Sequence, residues 1–302
     1  MFKLPSGVNL NNLIDDIRTF SWEASDKLLY YAQILKDSSD KSNIVQNNNN
    51  DDPVTLADLK VNQLIITRIS EKYNNVDWEI LSEENVKIVP DNCDVNSDWL
   101  WVLDPLDGTK DFIQGTQNYA MHLALNYRQR PYLGVVLIPE KEELWIAYEE
   151  KVWGEKRDGS IIKTSSFKNK SLQDMVLVTS KNHRNETLKN LIQKIHFNKV
   201  KVMGSIGCKI SSIVRGESDI YICLSLPGKS SPKDWDFAAP EAILRGAGGS
   251  ITSLDNKELI YGKSNFEHGG IIVASNNINT HNDLCLEIKE IIRKFDLYPL
   301  SS

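Results

Sequence analysis

The chain has 302 residues, 41% of them apolar and 25% charged, with a formal net charge of −6. That length holds a large core or two domains, and the composition is that of a folded globular protein. An acidic chain with no dense Lys/Arg block and no basic stripe interleaved with aromatics excludes a protein that grips nucleic-acid polymers. One basic pocket can still hold a small anion, so the expected ligand is a metabolite.

The four cysteines, Cys93, Cys208, Cys223 and Cys285, are widely spaced, form no Cys-x-x-Cys pair and follow no signal peptide. This predicts a reducing, cytoplasmic setting. No apolar run reaches bilayer length and the N-terminus lacks transit-peptide character, so no membrane association is expected.

In chain order, Leu10, Leu13, Ile14, Ile17, Phe20, Leu28, Tyr31 and Leu35 recur at helical spacing and predict a helix over 9–37. The Asn-rich segment 38–52 reads as a mobile loop, either an insertion or a flap over the site. A helix follows over 56–73, then strands at 76–82 and 99–104. Apolar segments at 119–126, 134–138 and 144–147, separated by Pro/Glu/Lys turns, predict an antiparallel meander. After Lys168 the pattern changes to strands at 175–180, 199–203, 219–224 and 270–275, alternating with helices near 185–195, 209–214 and 239–245. The expectation is an α+β domain over 1–170 and an α/β domain over 171–302.

The most informative motif is Asp104-Pro105-Leu106-Asp107-Gly108-Thr109, directly after the apolar run Trp99-Leu100-Trp101-Val102-Leu103. Two aspartates three residues apart cannot share a face of a regular strand, so the chain must bend at Pro105 for the carboxylates to converge. Convergent carboxylates ~4 Å apart repel by roughly 4 kcal/mol at an effective dielectric near 20, so they need protons or cations between them. Mg²⁺, hard and partial to oxygen, is the obvious cation. Gly108 and Thr109 then allow a turn into a helix start near Lys110, whose N–H groups would face a phosphate. Taken alone, Asp-Gly is equally a turn and Thr109 an N-cap. A haloacid-dehalogenase phosphatase also carries Asp-Gly-Thr after a strand, but Pro105 stands where its nucleophilic aspartate would be.

Matching carboxylates recur in Ile80-Leu81-Ser82-Glu83-Glu84 and in Asp234-Trp235-Asp236-Phe237-Ala238-Ala239-Pro240-Glu241. With these motifs in order, from about Asp52 to Ser275, the chain resembles the lithium-sensitive, magnesium-dependent inositol monophosphatase superfamily, and within it the 3′(2′),5′-bisphosphate nucleotidases. The resemblance implies a layered αβαβα sandwich, α+β / α/β in class, with an antiparallel-sheet N-terminal half and a mixed-sheet C-terminal half. It also implies two or three Mg²⁺ ions. Glu83, Asp104 and the Leu106 carbonyl would bind one ion, and Asp104, Asp107 and Asp236 the second. Glu84 is placed beside the metal shell or at the surface, and Asp236 doubles as a helix N-cap with Pro240 in the first turn. The stretch Pro53-Val54-Thr55-Leu56-Ala57-Asp58 matches the family segment whose aspartate accepts a proton from the attacking water. Asp58 would then hydrogen-bond Thr109, and no phosphoenzyme is needed.

For the substrate, Gly204-Ser205-Ile206-Gly207-Cys208-Lys209 resembles a Gly-rich segment ending in lysine in the animal-type nucleotidases. On its own it reads rather as close helix packing beside an exposed lysine. The resemblance assigns substrate contacts to Gly108, Thr109, Ser180, His183, Ser205, Lys209 and Asp236. Lys229 and Lys233 are expected in a solvated turn, and His122, His196, His268 and His281, lacking metal spacing, are given structural roles. The implied activity is Mg²⁺-dependent hydrolysis of adenosine 3′,5′-bisphosphate to AMP, in sulfate assimilation or nucleotide salvage, with the sulfated form as a further candidate substrate. Inositol phosphate hydrolysis and a catalytically silent nucleotide or metal sensor are the alternatives. Oligomeric state is not legible.

Overall fold

The structure is a computed structural model that describes residues 4–38, 44–46, 54–88, 97–167, 169–181 and 184–300. Most of the Asn-rich segment, Cys93 and His183 lie outside the described residues.

The chain opens with α1 (Leu10–Asp37), whose N-cap Asn9 side chain accepts from the Asn12 N–H. The short strands β1 (Val45–Gln46) and β2 (Val54–Thr55) pair antiparallel, so residues 45–46 of the segment expected to be a mobile loop are tied to the stretch just before α2. Next come α2 (Leu56–Lys72), β3 (Glu79–Ser82), α3 (Glu83–Ile88), β4 (Trp99–Asp107), α4 (Thr109–Ile113), β5 (Ala120–Tyr127), β6 (Arg130–Ile138), β7 (Glu143–Tyr148), β8 (Lys151–Lys156) and β9 (Ile161–Ile162). The second half supplies β10 (Val176–Ser180), α5 (Glu186–Ile195), β11 (Lys199–Met203), α6 (Ile206–Val214), β12 (Ile220–Leu224), α7 (Asp234–Gly246), β13 (Ser250–Ser253), β14 (Ile271–Ser275) and α8 (Ile278–Phe295).

Strands β3 to β9 form a seven-stranded sheet in chain order, antiparallel except for the parallel β3–β4 pair. The second sheet runs β11-β10-β12-β14-β13, parallel around β10 and antiparallel around β14.

Strand alternation sorts the core into three apolar layers. Trp101, Leu103, Leu123, Leu125, Val135 and Leu137 face α1 and α2. Their neighbours Val102, Ala120, Ala124, Val136 and Ile138 face α6 and α7, which rest on Val178, Tyr221, Ile272 and Ala274 of the second sheet. The opposite face of that sheet, Leu177, Ile220, Ile222 and Val273, packs on α5 and α8. The result is the five-layered αβαβα sandwich that the resemblance implies.

Helix α7 lies unusually close to β6. A Cβ built on Gly134 would stand 2.6 Å from the Ala242 Cβ and 2.8 Å from the Ala239 carbonyl, so only glycine permits this approach. The helix also begins five residues before the expected position 239. Pro240 therefore lies inside it rather than in its first turn, and the N-cap is Lys233, with Asp236 at the third helical position. Among the described residues, no helix is long and apolar enough to cross a membrane.

Candidate metal and phosphate site

The bend expected at Pro105 is a β-bulge. Asp104 pairs with His122 and Asp107 with Ala120, so the three-residue step on β4 matches a two-residue step on β5. The extra residue resets the pleat phase and brings Asp104 and Asp107 to one side. The Leu106 N–H closes the bulge by donating to Asp104 Oδ1 at 3.0 Å. Asp236, delivered by the first turn of α7, completes a cluster in which ligand oxygens of Asp104, Asp107 and Asp236 lie within 4.8 Å of one another.

Asp104 is buried at 2% exposure. Burial, followed by the charges of Glu83, Asp107 and Asp236 and a hydrogen bond with Glu83, holds its carboxyl well above the usual range. Glu83, on the first turn of α3, pairs with Lys87 at 2.9 Å. Glu84, expected beside the metal shell or at the surface, is buried, 3.2 Å from Lys87, and raises Asp58 through its charge.

Asp58 is fixed by a capping box at the start of α2. The Thr55 N–H donates to its Oδ2 at 2.8 Å and the Thr55 hydroxyl to the same oxygen at 2.5 Å, while the Asp58 N–H donates back to Thr55 Oγ1 at 3.4 Å. Burial is the largest influence on its carboxyl. Against the Thr55 hydrogen bonds and together with Glu84 and Glu83, it pushes the group up to about 8. The Thr109 hydroxyl lies 3.4 Å from Asp58 Oδ1 and 3.1 Å from the Leu106 carbonyl. The structure thus brings the expected Asp58–Thr109 pair to the edge of the carboxylate cluster. Gly108, at φ +91°, makes the turn between them, and a Cβ there would meet the Asn118 carbonyl at 2.9 Å.

The Gly-rich segment 204–209 leads from the end of β11 into α6. The anion seated on the first turn of α6 is Asp107. Its Oδ2 accepts from the Ser205 hydroxyl at 2.7 Å, the Ile206 N–H at 2.5 Å and the Gly207 N–H at 3.3 Å. Ser205 also caps the helix by accepting from the Cys208 N–H at 3.1 Å. Lys209 is buried, donates to the Gly204 carbonyl at 2.6 Å and lies 5.1 Å from the Tyr221 ring centre, so it is not the exposed lysine of the simpler reading. Burial pushes its pKa down, with Asp107 opposing. Ser180 is buried at the end of β10 and hydrogen-bonds Tyr221. Lys229 sits on an exposed turn, and Lys233 pairs with Glu267 at 2.7 Å.

Sequence reasoning missed two contributors. Thr55 carries a signal in hindsight, since Thr-x-x-Asp before an apolar run is a capping box. His122 stands opposite Asp104 in the strand register, with Nε2 3.2 Å from Asp107 Oδ2 and Nδ1 3.2 Å from the Trp235 carbonyl. Only knowledge of the β4–β5 pairing reveals it. Of the other histidines, His268 pairs with Asp234 at 2.8 Å and His281 lies between Ser275 and Thr252, both away from the cluster. Cys208, Cys223 and Cys285 are free thiols.

The all-oxygen donor set suits a hard divalent cation, which would relieve the burial and crowding that hold the Asp104 carboxyl up.

A 3′(2′),5′-bisphosphate nucleotidase CysQ from Buchnera aphidicola is 32% identical over 214 residues, 70% of this chain and 75% of that protein. CysQ of Escherichia coli (strain K12) is 26% identical over 251 residues, 82% of this chain and 94% of its own length. Among solved structures, an IMPase from Thermotoga maritima superposes with a TM-score of 0.70 at 22% identity, covering 94% of this chain and 99% of its own. A 2′AMP-bound SaIMPase-II gives 0.67 at 19%, covering 94% and 98%; both likenesses concern the fold. The sequence profile of the inositol monophosphatase family matches residues 13–293, and the chain belongs to that family of phosphatases.

Proposed function

We propose that the protein is a Mg²⁺-dependent 3′(2′),5′-bisphosphate nucleotidase that converts adenosine 3′,5′-bisphosphate to AMP and phosphate. The observation that carries the chemistry is the meeting of Asp104, Asp107 and Asp236 beside the Asp58–Thr109 pair. The nucleotide preference is supported by the bisphosphate nucleotidase relatives.

Glu83, Asp104 and the Leu106 carbonyl would hold one ion, and Asp104, Asp107 and Asp236 another. When bound, such ions supply Lewis acidity, lowering the pKa of a nearby water and neutralising charge on the phosphate. The chain's own groups do the rest. The Thr109 hydroxyl gives its hydrogen to Asp58 or to the Leu106 carbonyl, which leaves its lone pairs to accept from a water and orient it. Asp58, held by the Thr55 hydrogen bonds, is placed to take the proton. The Gly108 turn brings the Thr109 backbone up to the substrate phosphate without a side chain in the way.

A second reading, hydrolysis of an inositol or sugar phosphate, is favoured by one observation: Lys209 is buried on the Gly204 carbonyl rather than turned to a ligand. Phosphate release with Mg²⁺ separates the two. The substrates to compare are adenosine 3′,5′-bisphosphate, inositol 1-phosphate, inositol 1,4-bisphosphate and fructose 1,6-bisphosphate, each with and without Li⁺. Preference for the nucleotide, lost in Li⁺, is the expected result. Preference for an inositol or sugar phosphate would replace the substrate, and no turnover on any would favour a silent sensor.

A further inference from the structure

We propose that His122 is a positioning residue of the metal site, which wedges Asp107 onto the first turn of α6 and ties that assembly to the first turn of α7, where Asp236 resides. The inference rests on the reading of the carboxylate cluster as a metal site. The imidazole is 1% exposed and sits where three segments meet. The Trp235 carbonyl can only accept, so Nδ1 at 3.2 Å carries the hydrogen and donates it, fixing the plane of the ring. With that plane fixed and the ring neutral, Nε2 carries no hydrogen; it stands 3.2 Å from Asp107 Oδ2 as a packing contact and has no hydrogen-bond partner among the described residues.

Gly207 shows how tightly the slot is cut. A Cβ there would lie 2.3 Å from His122 Nε2 and 2.8 Å from Val136 Cγ1, so the helix gives up a side chain to admit the ring. Asp107 is therefore confined between the ring on one side and the Ser205, Ile206 and Gly207 donors on the other. All of these contacts fall on Oδ2. Oδ1 accepts none of them and is the oxygen left for a cation. Outer groups that orient a ligand in this way are commonly worth about 10–100-fold in metal affinity.

The test measures Mn²⁺ binding to metal-free protein by the EPR signal of the free ion, alongside thermal unfolding in EDTA, for wild type and three variants. His122→Gln reaches to the Nε2 position with an amide and keeps the wedge beside Asp107. His122→Asn reaches only the Nδ1 position, keeping the Trp235 bond but leaving a gap at Asp107, and His122→Ala removes both. The expected order is Gln within a few-fold of wild type, with Asn and Ala weakened by about tenfold or more. Equal affinity in all variants, or Asn binding better than Gln, overturns the proposal. A wild type that binds no Mn²⁺ overturns the metal site itself and this role with it, an outcome distinguishable from the others. Because Gln and Asn are both polar and of similar bulk, a folding failure of the Ala variant leaves the decisive comparison intact.

Discussion

Asp104→Asn should make the metal-free protein more stable while abolishing its function. The substitution is nearly isosteric, and the one hydrogen bond that shapes the bulge, from the Leu106 N–H to Oδ1, is available to an asparagine carbonyl. What it removes is a buried charge site facing Glu83, Asp107 and Asp236. With ligand oxygens within 4.8 Å, one ionised pair repels by about 3.5 kcal/mol at an effective dielectric of ~20. Because the raised native carboxyl meets part of this penalty by taking up a proton more readily, the gain is bounded by one such pair, about 2–3 kcal/mol. At roughly 1.6 °C per kcal/mol, from an unfolding entropy of about 2.1 cal/mol/K per residue, the variant should melt about 3–5 °C above wild type in EDTA. Saturating Mg²⁺ should reverse the ranking. Wild type gains about 4.1 kcal/mol at a thousandfold excess over Kd, more than the variant's lead, whereas the variant, short of one ligand charge, gains little. Thermal scans in EDTA and in MgCl₂, with phosphate release measured in parallel, provide the assay. A variant that is destabilised in EDTA, or one that keeps near-normal Mg²⁺-dependent turnover, would refute the electrostatic account of the cluster.

Three further outcomes are expected. The Asp58 carboxyl is raised to about 8 from its ordinary 3.8, so between those values the folded state binds the extra proton; stability of the metal-free protein therefore falls as pH rises through that window, and a flat urea-midpoint profile from pH 4 to 8 would contradict it. Asp58→Asn should lower kcat by about 10²-fold or more, as expected for loss of a positioned proton acceptor, with the melting temperature in EDTA unchanged or higher; steady-state kinetics beside thermal scans decide it. Gly108→Ala must adopt φ +91° and bring a methyl to 2.9 Å from the Asn118 carbonyl, so it should destabilise by about 1–3 kcal/mol in chemical denaturation.

The parts of the fold legible in the sequence were those written in periodicity. The 3.6-residue recurrence of Leu13, Ile17 and Leu28 and the apolar runs of β4 to β7 announce themselves locally. Helix α8 was not anticipated. Its apolar positions, such as Leu284, Ile288 and Ile292, are diluted among charged residues, and its packing against the second sheet supplies what the local pattern leaves open. The start of α7 was misplaced because Pro240 looks like a first-turn residue, whereas the helix is nucleated upstream, where Asp236 accepts from the Lys233 N–H at 2.6 Å. In the site, the aspartates were readable because their spacing violates the strand period. The seat of Asp107 on α6 and the approach of His122 are long-range contacts, fixed by strand register and helix docking, and leave no trace in local sequence.

The close contact of Gly134 with Ala239 and Ala242 bears on how this protein would look to a geneticist. Helix α7 carries Asp236 at one end and rests on β6 through residues with almost no side chain, so its standoff from the sheet determines where that carboxylate lands. Enlarging any of the three would tilt the helix and displace Asp236 while leaving the αβαβα layers in place. A selection for lost activity should therefore return hits at 134, 239 and 242 alongside the acidic cluster, and a map of such hits drawn on the sequence alone would mistake a hinge line for a binding surface.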